Sequence, residues 1–126
     1  MLVVFLIFAA LAGLLHIYIF ILETFLWTSD TARKTFKTTA EQAEETKELA
    51  ANQGVYNGAL AVITLVGVIA IATNGSNSVG KTLIIAGCSV MTIAALYLLL
   101  TAKDKRSAAL KQLVLPLLTL ITALFL

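Results

Sequence analysis

Two ionisable side chains stand alone in a long apolar run at the start of the chain: His16 and Glu23, inside the segment from about Leu2 to Trp27. They are seven residues apart. On a helix this places them on one face, separated by about 10.5 Å along the axis. Phe20 and Trp27 continue that stripe at steps of four. An ionisable group in an apolar helix is costly, so such residues are functional candidates by default. Glu23 and His16 are therefore the candidates for proton donor and acceptor in any catalysis. The alternatives are that Glu23 is a protonated or hydrogen-bonded tie between helices, and that His16 is a satisfied structural histidine.

The polar partners for Glu23 come from Asn52-Gln-Gly-Val-Tyr-Asn-Gly58. At 100° per residue, Asn52, Gln53, Tyr56 and Asn57 occupy an arc of about 140°, with Gly54 and Gly58 on another. The polar arc can reach Glu23. The glycine arc permits close approach of a neighbouring helix, and Ala9 with Gly13, or Gly87 with Ala95, offers small residues to meet it. A carboxylate only accepts hydrogen bonds, whereas amides and phenols can donate them. Trp27, Asn52, Gln53, Tyr56, Asn57 and, from a later segment, Tyr97 thus form the expected ligand-binding set around Glu23. Tyr56 and Trp27 are equally readable as interfacial aromatics, and Asn57 as an interhelical hydrogen-bond residue.

No cofactor or metal is expected. A helix pair that chelates an ion is usually spaced like Glu-x-x-His, closer than His16 and Glu23, and there is no second histidine. The single cysteine, Cys88, sits beside Ser89 in apolar surroundings and reads as packing. There is no phosphate loop after a strand and no nucleophile elbow.

The elements that must position these residues follow from composition. Of 126 residues, 60% are hydrophobic and 13% charged, and the mean hydropathy is +0.96. A soluble domain is roughly 45–50% apolar and a quarter charged, so a soluble enzyme and a disordered tail are excluded, and the single cysteine excludes a disulfide-stapled secreted domain. The net charge of +2 gives no nucleic-acid footprint.

Four spans can be drawn, at about 2–27, 52–73, 82–102 and 108–126, since roughly 20 apolar residues cross the hydrocarbon layer. The fourth is the shortest after Lys111, and Pro116 should bend it or mark its first turn. The expected architecture is all-α: one domain over 1–126, an integral membrane four-helix bundle. Arg33, Lys34, Lys37 and Lys47 lie between the first two spans, and Lys103, Lys105 and Arg106 between the last two, with Lys111 just after that loop at the start of the fourth span; only Lys81 lies elsewhere. The positive-inside rule then makes these loops cytoplasmic and both termini extracytoplasmic. The long first loop has helical propensity over Thr39–Ala51, so it should extend the second span, with Thr38 or Thr39 as cap. The expected setting is a plasma membrane, with membrane lipid as a partner and a homo-oligomer, dimer or trimer, formed through the glycine faces. An apolar small molecule is a further candidate partner.

His16-Ile-Tyr-Ile-Phe-Ile-Leu-Glu23-Thr-Phe-Leu-Trp27, then Phe36, then Asn52-Gln-Gly-Val-Tyr-Asn-Gly58, resembles a family of small four-span membrane proteins known as domain of unknown function 1304. The resemblance covers the chain and implies four helices in a bacterial plasma membrane. It implies no activity. The topology is also similar to that of the membrane-associated eicosanoid and glutathione metabolism family, but the second span lacks that family's arginines. Three functions fit the residues: an intramembrane pocket for a lipid-like or apolar molecule, a polar cluster that only fixes helix packing, and proton-coupled transport through Glu23.

Overall fold

The structure, a computed structural model, describes residues 1–126 and is all-helical with no strand. Helix α1 spans Leu2–Thr24, α2 Asp30–Phe36, α3 Ala40–Asn74 and α4 Ser78–Thr101; a single 3-10 turn, Lys103–Lys105, leads into α5, Arg106–Ala123. Three of these, α1, α3 and α4, are long and apolar enough to cross a membrane. Helix α5 has only 18 residues and carries Arg106 and Lys111 in its first two turns.

The four long helices form a ring. Helix α1 packs on α3 and α5, and α4 packs on α3 and α5. The link Gly75-Ser-Asn77 is too short for anything but an antiparallel α3–α4 pair. Asn77 fixes the turn: its side chain caps α4 by accepting from the Gly80 amide at 2.7 Å and donates back to the Ala70 carbonyl at 3.2 Å. Gly75 enters the turn at φ 73°, a region L side chains rarely occupy.

Small residues set the closeness of the ring. A Cβ on Gly67 would lie 2.7 Å from the Gly80 carbonyl oxygen, so the backbones of α3 and α4 are in contact there. At this end Phe5, Ala9, Ala12, Ile71, Ile84, Cys88 and Met91 form a buried hydrophobic core. At the other end α2 lays Ala32 and Phe36 over Ile19 and Leu22 of α1 and Ala108 of α5.

Several expected boundaries move. The first span stops at Thr24, three residues before Trp27: the Phe25 and Leu26 amides both return to the Ile21 carbonyl and the helix ends. Trp27 therefore does not continue the His16–Glu23 stripe. The expected loop contains a short helix, α2, capped by Ser29 Oγ on the Ala32 amide. The second span is the apolar part of a 35-residue helix that begins at Ala40. Thr39, not Thr38, is its cap, and Gln42 closes the capping box. Helix α4 starts at Ser78 and takes in Lys81. Pro116 lies deep inside α5, away from the first turn. It leaves the Gln112 carbonyl without an amide donor at i+4.

Candidate functional site

Glu23 is on the last turn of α1 and is 2% exposed. What buries it is Gly54. A Cβ there would lie 2.9 Å from the Glu23 Cβ and 3.0 Å from the Thr24 backbone nitrogen. One turn on, Gly58 faces the Phe20 ring. The glycine arc of α3 thus seats α1, and Asn57, at the edge of that arc, donates from Nδ2 to Glu23 Oε1 at 2.5 Å. Thr24 Oγ1 adds a bond to the Ala51 carbonyl at 3.3 Å. Of the two arcs, the glycine arc takes α1, and of the polar arc only Asn57, at its edge, bonds Glu23.

The other expected site residues separate into groups. Gln53 lies on the wall of a cavity of about 510 Å³ that also includes Glu23. Trp27 lines the same cavity, its ring 5.1 Å from Phe36 and its Nε1–H donating to Thr46 Oγ1 at 3.0 Å. Tyr56 and Tyr97 do not touch Glu23. They are 68% and 70% exposed and stand on a separate cleft between α3 and α4. Asn52 is exposed and lines neither space. His16, 1% exposed, makes no bond to Glu23; its Nδ1–H donates to the Ala12 carbonyl of its own helix at 2.9 Å. A carbonyl only accepts, so this bond requires a proton on Nδ1, and a neutral ring would then carry none on Nε2.

The cavity also has walls that the spacing of residues did not reveal. Its roof is the end of α2, at Phe36, and the connector to α3, through Thr38. Lys105, from the α4–α5 turn, pins this connector: Nζ donates to the Phe36 carbonyl at 2.6 Å and the Lys37 carbonyl at 2.9 Å. Those are terminal carbonyls of α2, where a cation is favoured by the helix dipole. Lys37 ends α2 in the left-handed region at φ 49°. Asp104 flanks Lys105 at 3.5 Å. Gln112, from α5, completes the floor.

Chemically, the cavity presents one buried carboxyl, several amide groups and an indole. Its one cation, Lys105, is already engaged by two carbonyls and Asp104. It can bind a molecule through hydrogen bonds and apolar contact. No group of three or more metal-ligating side chains is present.

Fold and site together define an all-helical protein, with three helices long and apolar enough to cross a membrane, built around a single buried carboxyl–amide pair. The family is settled by comparison: residues 10–124 match the model described as a protein of unknown function (DUF1304), and the chain belongs to that family. No curated protein and no solved structure matches the chain.

Proposed function

We propose that the chain is a four-span protein of the plasma membrane whose Glu23 cavity binds a lipid-like or apolar small molecule at the cytoplasmic leaflet. In this reading α5 is the fourth span, with Lys111 snorkelling to the interface. The basic connectors beside the cavity lie inside, and both termini outside. Membrane lipid surrounds the ring, and a homo-oligomer is the expected assembly.

One observation carries the reading. Glu23, a carboxyl almost fully withdrawn from solvent, is also one of the residues that line a cavity of about 510 Å³. That volume is typical of small-molecule sites, which pair apolar walls with a few placed polar groups. The test is native mass spectrometry of the protein released from detergent. Wild type should retain a bound small molecule that Glu23→Gln loses. Equal retention by both, or none by either, overturns the proposal.

A second reading has its own support: Asn57 already satisfies Glu23, as a pure packing device requires. It predicts that Glu23 substitutions lower stability and leave bound molecules unchanged. Proton-coupled transport is less well supported, because the far end of the ring is filled by Phe5, Ile84 and Met91.

A further inference from the structure

Helices α3 and α4 are not parallel companions along their whole length. At one end their backbones touch, Gly80 lying against the Gly67 carbonyl and Gly87 against Thr64. Toward the cavity end no glycine lies between them, and they are separated by a cleft of about 670 Å³. Leu60 and Tyr56 line one side of it, Val90, Ala94 and Tyr97 the other. From Leu60 to Gln53 the cleft follows about 10 Å of helix.

The cleft does not end blindly. Gln53, Leu98 and Gln112 line both it and the Glu23 cavity, so the two spaces adjoin through these side chains. The side chains it shares with the Glu23 cavity include the amides of Gln53 and Gln112, with Asn57 beside them, whereas the exposed Tyr56 and Tyr97 line the cleft alone. A lipid-facing groove needs no amides, since polar groups in hydrocarbon are costly. A groove that receives a polar head with an apolar tail needs this gradient. Charge narrows the head further. The cleft has no charged side chain, and the one cation of the adjoining cavity is held by two carbonyls and Asp104. No free cation remains for a phosphate, whereas hydroxyl groups can both donate to Glu23 and accept from the amides.

We infer that the α3–α4 cleft is a side entrance from the bilayer for a neutral single-chain amphiphile with a hydroxyl-bearing head, its tail lying between Tyr56 and Tyr97 and its head turned toward Gln53, Gln112 and Glu23. The inference rests on the binding cavity proposed above and adds its route and ligand class.

The probe is a 1-monoacylglycerol with a diazirine at mid-chain, photolysed with the full chain in nanodiscs of phosphatidylethanolamine and phosphatidylglycerol. Labels should concentrate at residues 56–60 and 90–97. Unlabelled monoacylglycerol should compete, and lysophosphatidylglycerol of the same chain length should not. Ala94 is exposed, so Ala94→Trp fills the cleft without entering the core; it should cut labelling about tenfold, the kind of loss expected when a buried contact worth about 1.4 kcal/mol is removed. Val90→Trp serves the same purpose should Ala94→Trp not fold. Labels spread evenly to outward positions such as Val62 and Ile69, or unchanged in both tryptophan variants, overturn the entrance. Equal competition by the lysophospholipid overturns the neutral head. Loss in Glu23→Gln with full labelling in Ala94→Trp rejects the entrance and leaves the cavity standing. The opposite pattern rejects the cavity and keeps the cleft.

Discussion

Gly54→Ala probes the contact on which the site depends. The added methyl would meet the Thr24 hydroxyl first, which can rotate aside; behind it stand the Glu23 Cβ at 2.9 Å and the Thr24 backbone nitrogen at 3.0 Å. Carbon atoms rest at about 3.5–4.0 Å. Neither of these last two obstacles can rotate aside, because one is a Cβ and the other is backbone. Helices α1 and α3 must therefore separate locally by about 0.5–1 Å, the difference between those distances. Overpacking of this kind costs about 1–3 kcal/mol, and the better helix propensity of alanine returns up to about 1 kcal/mol. The net expectation is a loss of about 1–2 kcal/mol. The same displacement acts on Asn57, three residues on, and would carry its 2.5 Å bond to Glu23 toward the upper limit of hydrogen-bond length, about 3.2 Å. The assay is thermal unfolding of the protein in detergent, beside Gly58→Ala as comparison. There the methyl meets the Phe20 ring at 3.0 Å, and a ring can tilt, so the loss should be smaller. If Gly54→Ala unfolds with wild type, or Gly58→Ala proves the more damaging, then the glycine arc does not seat α1 and the placement of Glu23 is misassigned.

Three further outcomes are expected. A double-mutant cycle of Glu23→Ala and Asn57→Ala should give a coupling of about 0.6–1.7 kcal/mol, the range of interhelical hydrogen bonds in membranes; additive losses would mean the two side chains are not bonded. Lys105→Met removes both bonds to the α2 carbonyls, at about 1–3 kcal/mol, and should speed tryptic cleavage after Lys34 and Lys37; an unchanged digestion rate would show that Lys105 does not hold the roof. Thr39→Ala breaks the capping box of α3 at about 1 kcal/mol, and should raise hydrogen exchange at the Gln42 amide while leaving Asn57 protected.

Much of the secondary structure could be read from the residues. Apolar length marked α1, α3 and α4, and the alanine- and glutamate-rich stretch before Asn52 marked the extension of α3. The polar arc Asn52–Asn57 was expected to reach Glu23, and in the structure Asn57 bonds it. Phe36, Lys105 and Gln112 were out of reach. They come from a loop helix, a turn and a late helix, and nothing in their spacing relates them to Glu23.

The sequence alone determined that this chain forms long apolar helices with one acid and one histidine on a shared face of the first. Only the tertiary structure decided how each helix is rotated. In a soluble bundle the apolar side faces the core, so periodicity reports rotation. Where the outside of a helix is as apolar as the inside, that signal vanishes and close packing of small residues chooses the face. Gly54 and Gly58 took α1, which turned Tyr56 outward to the cleft and left Asn57 at the edge to reach Glu23.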